Sequence, residues 1–425
     1  MTPIHRSRQR MTAVALAVLL LTLAACSQEY PNSTFHTNTE FNAAIDHLWN
    51  RLMFFGTLVF VLIEGLLIYA VFRYRRRENS PVPKQVHGSA TLEILWTAIP
   101  ALILVFIAVP TVRTIFETQA DAAAGSLQVE VIGHQWWWEF RYPELGITTA
   151  NELYLPVGRT VNFELKTHDV LHSFWIPHLG GKRDLITNRT NYLWFTPDTS
   201  MATKVQNGFC AEFCGESHAN MKFRVFTVTP EQFESWAAHQ ASPAVFGATV
   251  PAAAPPAAGT AADSAAPAAA AASPAGATPV MLASAGGFTF AEADLPRYAR
   301  PMTPIPASIR RLPPGMTGDP VRGQEAYQST SCIGCHAIAG TPFNMANIGP
   351  DLTHVGSRTT IGAGLYPNDA EHLAMWIKNS RAMKPGVVMP TLGTNEFDPV
   401  TKLKISSGLS DQQVADIVAY LMALK

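Results

Sequence analysis

Residues 210–221 read CAEFCGESHANM, and this loop contains the strongest chemical signal in the region around it. Two cysteines, a histidine and a methionine fall within one short loop, and a further histidine lies upstream in Asp169–Ser173. Thiolate, thioether and imidazole ligands together select copper in an electron-transfer site, and two cysteines at this spacing can bridge two copper ions. The candidate ligands are Cys210, Cys214, His218, Met221 and His172.

Two other chemistries use some of the same residues. A Cys-x3-Cys pair with two histidines could hold structural zinc, although Met221 argues against zinc because a thioether is a poor zinc ligand. A disulfide between Cys210 and Cys214 could form in an exported domain, but it would leave both histidines and Met221 unexplained. Copper is the favoured interpretation on spacing alone, with zinc as the alternative.

The chain around this loop has the pattern of an all-β domain, which we place at residues 121–236. Runs of β-branched and aromatic residues with partial alternation are separated by Pro, Gly, Asn and Asp, which indicates a sandwich or barrel. The predicted strands are Gln128–Ile132, Glu152–Leu155, Thr160–Leu165, Tyr192–Thr196 and Lys222–Val228.

Two long apolar segments precede the β domain, within a predicted transmembrane hairpin at residues 26–120. Met53–Phe72 contains a single charge, Glu64, and Ile94–Val112 contains none. Each covers about 30 Å as a helix, which is the thickness of a bilayer. We predict helices over about 48–73 and 92–115. The loop between them, rich in arginine from Arg73 onward, should face the cytoplasm.

The N-terminus has the pattern of a bacterial secretory signal over residues 1–25. A basic start precedes an apolar stretch that is too short to span a membrane. The segment ends in Leu-Ala-Ala-Cys26, which resembles a lipobox. We therefore expect cleavage before Cys26 and a lipid on that cysteine; an ordinary signal peptide with a chance cysteine is the alternative.

Residues 237–317 are predicted to be an Ala/Pro-rich linker, because this composition cannot form a packed core. A second globular unit, the C-terminal domain, follows at residues 318–425. It begins with a helical pattern over Val321–Thr330 and ends with one over Asp411–Leu424, for which Ser410 is a suitable N-cap.

The C-terminal domain contains the motif Cys332-Ile333-Gly334-Cys335-His336. A Cys-x-x-Cys-His motif attaches haem c through two thioether bonds, and the histidine ligates the iron. The segment Gly349–Leu352 resembles the class I cytochrome c segment in which a proline carbonyl, here that of Pro350, accepts the ring N–H of the histidine. Met389 is the best candidate for the sixth ligand, and Met383 is its rival.

Composition excludes one broad class and supports these assignments. The chain has 425 residues and a formal net charge of −1, so nothing suggests nucleic-acid binding. Each of the five cysteines falls inside one of the motifs above, which leaves none for a structural disulfide.

Residues of about 40–235 resemble cytochrome c oxidase subunit II. The copper loop carries the resemblance, together with the aromatic stretch Gly133–Phe140, the first ligand loop around Asp169–His172 and Leu92–Thr97 before Pro100. The resemblance implies a cupredoxin-like Greek-key barrel with a dinuclear copper A centre. It makes the five side chains above its ligands. It adds the backbone carbonyl of Glu212, whose carboxylate would help to hold magnesium at the border with subunit I.

The resemblance also implies two roles in moving charge. Trp136 would receive electrons for the copper centre, although interface aromatics are common. Glu93, at the cytoplasmic start of the second helix, would open a proton path into subunit I; a solvated helix-terminal acid is the plain alternative.

The fold class expected is therefore a multidomain membrane protein with a transmembrane hairpin, a cupredoxin-like β domain and an all-α cytochrome c domain. As a subunit of a cytochrome c oxidase in the bacterial plasma (inner) membrane, it would pass electrons from a donor through haem c and copper A to the haem of subunit I, where oxygen is reduced. The expected partners are subunits I and III and a cytochrome c or quinol–cytochrome c reductase. Both cofactor domains would be periplasmic. A subunit of a nitric-oxide-reducing complex and a free-standing membrane-anchored electron carrier are the alternatives.

Overall fold

The structure is a computed structural model that describes residues 30–78, 85, 87–244, 287–342, 344 and 348–425. The predicted signal segment, Cys26 and residues 245–286 of the predicted linker lie outside the described residues.

Two long helices, α1 (Glu40–Arg73) and α2 (Ala90–Gln119), form the predicted hairpin and pack against each other. Both are long and apolar enough to cross a membrane by length and composition. The Thr39 side chain accepts a hydrogen bond from the backbone N–H of Asn42 and caps the start of α1. Pro100 and Pro110 lie inside α2. The arginine-rich loop starts where α1 ends, as predicted.

Both helices run past the apolar segments and join the β domain. The Glu40 carboxylate accepts hydrogen bonds from the Thr196 hydroxyl at 2.6 Å and the Thr196 N–H at 3.0 Å. Arg183 donates to the Gln119 side chain at 2.6 Å, and the indole of Trp194 donates to the Ala120 carbonyl at 2.7 Å. The outer end of each helix is therefore fixed to a strand or loop of the β domain.

The β domain consists of two five-stranded sheets. One has the order β3-β2-β1-β5-β8 and the other β4-β10-β9-β6-β7. The strands are β1 (Leu127–His134), β2 (Trp137–Tyr142), β3 (Ile147–Ala150), β4 (Glu152–Pro156), β5 (Val161–Thr167), β6 (His172–Trp175), β7 (Arg183–Leu185), β8 (Asn191–Phe195), β9 (Lys204–Cys210) and β10 (Lys222–Val228).

A dense aromatic cluster fills the space between the sheets. Trp138, Phe140, Phe174 and Phe223 are all fully buried, and the Phe174 and Phe223 rings stack at 5.1 Å between centroids. All five predicted strands are present. The short strands β3, β6 and β7 were not predicted, since three or four residues are too few to show a period of two in the sequence.

The region predicted to be a linker is partly folded. Helix α3 (Pro230–Gln240), which begins with a capping box at Thr229 and Gln232, continues past residue 237. After the undescribed residues, the chain returns as an arm, residues 287–300. Phe290, Leu295 and Ala299 of the arm are buried in the core cluster of the β domain. The structure therefore differs from the predicted linker at both of its ends.

The C-terminal domain is mainly helical, as predicted. It contains α4 (Pro320–Gln328), α5 (Ala370–Met383), α6 (Asp411–Ala423) and a two-stranded sheet of β11 (Thr360–Ile361) and β12 (Tyr366–Pro367). Ser410 caps α6 through a capping box, as its position suggested. Helices α4 and α6 pack together, and Arg322 of α4 pairs with Asp416 of α6 at 2.9 Å.

Candidate metal and haem centres

The candidate copper ligands converge on one point at the end of the β domain. The two sulfur atoms of Cys210 and Cys214 lie 3.8 Å apart. His172 Nδ1 lies 3.8 Å from Cys210 Sγ, and His218 Nδ1 lies 3.6 Å from Cys214 Sγ. The sulfur of Met221 lies 3.8 Å from Cys214 Sγ. All five predicted side chains are therefore brought together.

Strand β6 presents His172, and a carboxylate fixes the ring. His172 Nε2 donates to Asp169 Oδ1 at 2.8 Å, which leaves Nδ1 directed at the cysteines. Burial alone would lower the pKa of His172, but its hydrogen bonds to Asp169 and Cys210 raise it. Asp169 also accepts the backbone N–H of Gln135 at 2.7 Å. This carboxylate sets which nitrogen of His172 can bind a metal.

The loop after β9 supplies the remaining donors. Cys210 donates its N–H to the Met221 carbonyl at 3.1 Å, so the loop closes on itself. The carbonyl oxygen of Glu212 lies 3.2 Å from Cys210 Sγ, in the place expected for a backbone ligand. The contact with the Cys214 thiol, and then that with His172, lowers the pKa of Cys210. Cys210 Sγ thus lies close to three other candidate ligand groups, those of His172, Glu212 and Cys214.

The donor set fits a copper pair. His172, Cys210 and Cys214 place their ligand atoms within 4.8 Å of one another, and all three side chains are buried. Soft sulfur donors predominate, and Met221 is 1% exposed with its sulfur toward Cys214. A thioether beside two thiolates suits copper better than zinc. The cysteines are free rather than joined in a disulfide.

Trp136 lies directly against this loop. Its indole N–H donates to the carbonyl oxygen of Cys214 at 2.9 Å, and Gln135 Nε2 donates to the same oxygen at 2.8 Å. The ring is half-buried. One hydrogen bond therefore connects Trp136 to a ligand residue of the candidate copper site.

The C-terminal domain covers the other side of Trp136. Lys384 Nζ donates to the Trp136 carbonyl, and Ser217 Oγ donates to the Pro385 carbonyl, each at 2.5 Å. Gly386 has a positive φ of 83°, and a Cβ there would come 2.5 Å from Cζ3 of the Trp136 ring. Only glycine allows the backbone to approach the indole this closely.

The haem-attachment motif is built as its sequence suggested. Cys332, Cys335 and His336 are half-buried, and His336 Nδ1 donates to the Pro350 carbonyl oxygen at 2.8 Å. Burial lowers the pKa of His336, which favours the neutral ring. A Cβ on Gly349 would come 2.6 Å from His336 Cε1. The Pro350 carbonyl and Gly349 together hold the ring so that Nε2 is available to an iron ion.

The two candidate methionines have different surroundings. Met383 is 4% exposed and belongs to the core cluster of the C-terminal domain. Met389 is half-buried in the loop after α5, where its carbonyl accepts a hydrogen bond from Ser380 Oγ at 2.8 Å. The Met389 side chain is thus outside that core, while Met383 is one of its members.

The two predicted acidic residues lie at opposite ends of the molecule. The Glu212 side chain is half-buried beside the copper loop, next to Phe213, which is 75% exposed. Glu93 is exposed in the first turn of α2, at the same end as Arg73. The roles of Glu212 in magnesium binding and of Glu93 in proton uptake therefore stay predictions.

Clustered sulfur and imidazole donors, a haem-attachment motif and a helical hairpin define a membrane-anchored electron-transfer protein. Three family descriptions match the chain. Residues 32–114 match the transmembrane domain of cytochrome c oxidase subunit II, residues 145–228 match its periplasmic domain, and residues 320–425 match cytochrome c.

Curated relatives match nearly the whole chain. Cytochrome c oxidase subunit 2 of Alkalihalophilus pseudofirmus is 30% identical over 87% of this chain and 85% of its own length. The subunit of Bacillus sp. is 32% identical over 83% of this chain and 80% of its own length, and that of Bacillus subtilis is 27% identical over 96% of both. The chain belongs to the cytochrome c oxidase subunit 2 family. It is a form with a fused cytochrome c domain.

Several residues at the site were missed in the sequence. Lys384 and Gly386 lie beside Met389 in the sequence but make their contacts with Trp136. A lysine, a proline and a glycine in a row indicate a turn, and nothing in that signal names the partner surface. Asp169 was visible as part of the first ligand loop, but its hydrogen bond to His172 was not.

Proposed function

We propose that this chain receives electrons for a respiratory haem–copper oxidase. The electrons would pass from an external donor to haem c, then to copper A, and then to the haem of subunit I, where oxygen is reduced to water. The observation that carries the proposal is the position of Trp136, which donates to the Cys214 carbonyl and is covered by Gly386 of the C-terminal domain. The Trp136 side chain therefore contacts both redox domains.

The chain's own residues prepare the copper site. When bound, a thiolate-bridged copper pair would share one electron over both metals, which keeps the rearrangement on reduction small. The rigid β scaffold holds Cys210 and Cys214, while Asp169 orients His172. The Glu212 carbonyl would complete the ligand set. We further propose that the Glu212 carboxylate helps to hold magnesium at the surface that meets subunit I.

In the C-terminal domain, His336 and Met389 would be the axial ligands of the haem iron, and Cys332 and Cys335 its attachment points. The Pro350 carbonyl keeps His336 in one orientation through the 2.8 Å hydrogen bond. The position of Met389 outside the core supports it over Met383. A histidine–methionine pair raises the reduction potential of a haem, which suits donation toward copper A.

The membrane part would assemble with subunits I and III. The apolar faces of α1 and α2 are exposed along their length in this chain, as expected for helices that meet lipid and neighbouring subunits. The β and C-terminal domains would face the periplasm, with a cytochrome c or a quinol–cytochrome c reductase as donor. Glu93 would take up protons on the cytoplasmic side, for a proton-translocating complex. A lipid on Cys26, after removal of residues 1–25, would add a second anchor.

Purification of the tagged chain from native membranes tests the proposal. We expect it to retain an oxygen-reducing partner, covalent haem and a copper pair with a delocalised electron paramagnetic resonance signal. Cys214→Ser should abolish that signal while leaving the haem attached. Zinc in place of copper would refute the copper assignment, and nitric oxide turnover without oxygen turnover would refute the oxidase assignment.

A further inference from the structure

Two charged side chains stand side by side on the outer face of the second sheet. Glu152 of β4 and Arg224 of β10 are direct partners in the register of these parallel strands. Their neighbours Leu153 and Val225 turn to the opposite, core-facing side. Charged residues on the outer face of a sheet ordinarily meet water, yet Glu152 and Arg224 are each only 4% exposed.

The C-terminal domain buries Glu152. Its Oε1 atom accepts the backbone N–H of Thr359 at 2.7 Å, the Thr359 hydroxyl at 2.6 Å and the N–H of Thr360 at 3.2 Å. All three donors come from the segment that leads into β11. The carboxylate therefore reaches across the boundary between the two domains and binds consecutive backbone amides on the far side.

Arg224 makes the matching contact. Its Nη2 donates to the Gly364 carbonyl at 3.1 Å, and its Nε donates to the Ala299 carbonyl of the arm at 2.7 Å. The acid thus takes two backbone N–H donors, and the base one carbonyl acceptor, from the same short stretch, residues 359–364. Glu152 accepts hydrogen bonds from N–H groups, whereas Arg224 donates one to a carbonyl group. Together the two side chains fix both the position of residues 359–364 and the direction in which this segment runs.

These contacts hold only when the domains are docked. Burial raises the pKa of Glu152 and lowers that of Arg224 to about 10, which shows how strongly both groups are desolvated. A buried charge without its hydrogen bonds is strongly unfavourable. A misplaced C-terminal domain would bury both charges without partners, so the pair selects one docked arrangement over its neighbours.

We propose that Glu152 and Arg224 form a receptor surface for residues 359–364, which keeps the C-terminal domain docked with Gly386 against Trp136. Electron transfer within the chain then starts from a preformed contact and needs no search by a mobile domain. This deepens the proposed function and rests on it. Docking, however, is a property of the chain's own side chains and can be measured separately.

Hydrogen exchange in the purified full complex tests docking without reference to activity. Glu152→Ala removes the acceptor of the Thr359 and Thr360 amides, so a peptide covering them should exchange faster by about tenfold or more. Glu144→Ala, at an exposed position of the same domain, is the control and should leave exchange unchanged. Thr359→Val, which removes only the hydroxyl donor, should have a smaller effect in the same direction and guards against misfolding of the strand variant.

Flash reduction of haem c tests the consequence. In the wild type, transfer from haem c to copper A should be independent of solvent viscosity. In Arg224→Met it should become slower and viscosity-dependent, with Arg159→Met, at an exposed position, as the control. The proposal is overturned if Glu152→Ala leaves exchange unchanged, or if transfer in the wild type depends on viscosity. It is also overturned if exchange becomes faster in Glu152→Ala while transfer in Arg224→Met stays as in the wild type. Absence of any haem-to-copper transfer in the wild type would refute the proposed function instead, and the exchange result would still decide docking.

Discussion

Lys384 of the C-terminal domain donates a 2.5 Å hydrogen bond to the backbone carbonyl of Trp136 in the β domain. The lysine is 2% exposed, and burial lowers its pKa to about 7 against the opposing effect of Cys214. A long amine side chain is thus buried between the two redox domains. It contacts the residue that bonds to a copper ligand.

Replacement of Lys384 by methionine should slow transfer from haem c to copper A. The variant keeps most of the side-chain volume but leaves the Trp136 carbonyl without its donor in a buried interface. We expect a rate roughly tenfold lower, which corresponds to about 1.4 kcal/mol. Flash photolysis measures the rate. Lys404→Met, at an exposed position, is the control and should behave as the wild type. Equal transfer rates in the two variants would show that Lys384 does not contribute to electron transfer.

Gly349→Ala should disturb the iron ligand without detaching the haem. The new Cβ would come 2.6 Å from Cε1 and 2.9 Å from Nδ1 of His336, so the ring must turn away from Pro350. Overpacking of this kind costs about 1–3 kcal/mol. Denaturing gels should show haem still bound, while redox titration shows a shifted potential. Gly56→Ala, in α1 and away from the haem motif, is the control because nothing lies within 4 Å of its Cβ.

Substitution of Met389 and substitution of Met383 should have different effects on the haem. Met389→Ala should lower the haem potential and let carbon monoxide bind the iron, since a ligand is lost. Met383→Ala should instead leave a core cavity that costs about 2–5 kcal/mol of stability, with the visible spectrum retained. Carbon monoxide difference spectra and thermal unfolding distinguish these outcomes. Carbon monoxide binding in the Met383 variant alone would reverse the assignment.

Docking of the domains should weaken in acid through His239 and His354. Their rings face each other across the domain boundary at 4.6 Å, and burial, with a lesser contribution from mutual repulsion for His239, lowers both pKa values below 6.5. As the pH falls, these two histidines take up protons at a higher pH in the separated domains than in the docked ones. The docked arrangement therefore has its full stability above about pH 6.5 and loses stability below it. Hydrogen exchange around residues 353–361 should speed up on acidification, after correction for intrinsic rates. His239→Gln should reduce this pH dependence. An unchanged pH dependence in this variant would show that the histidine pair is not its source.

Glu93→Gln should slow oxygen turnover while the copper and haem spectra stay normal. Glutamine keeps the size and hydrogen bonding of the side chain but cannot carry the titrating proton. The defect should ease as the pH is lowered, because proton supply then limits turnover less. Glu78→Gln, in the loop on the same side of the membrane, is the control. Full turnover in an assembled Glu93→Gln complex would leave this residue as a helix-terminal charge.

The clustering of the candidate copper ligands could be predicted from the sequence because most of them are close together in the chain. Cys210, Cys214, His218 and Met221 share one loop, and Cys332 to His336 form one short motif, so spacing alone indicates a metal site in each place. The helices α1 and α2 followed from apolar length. In each case, the physical constraint acts on neighbours in the chain, and the pattern is therefore visible in the sequence.

The docking surface could not be predicted because its constraint is long-range. Glu152 and Thr359 are separated by 207 residues, and in the sequence each resembles an ordinary strand or loop residue. The arm was hidden for a related reason. Residues 287–300 follow an alanine-rich stretch, and the burial of Phe290 depends on an aromatic surface formed by Tyr154 and Phe226.

The two membrane helices connect the membrane to the domain that carries the candidate copper loop. Helix α1 begins at Glu40, whereas its apolar segment begins at Met53, so about 20 Å of helix lies above the bilayer at 1.5 Å per residue. The contact of Glu40 fixes α1 to the β domain, and the contact of Gln119 fixes α2 to it. The height and heading of the metal loop relative to the membrane plane are consequently set by helix length. One residue inserted into α1 would lengthen this helix by about 1.5 Å and turn Glu40 by about 100° about the helix axis, so its contact with Thr196 could not be kept.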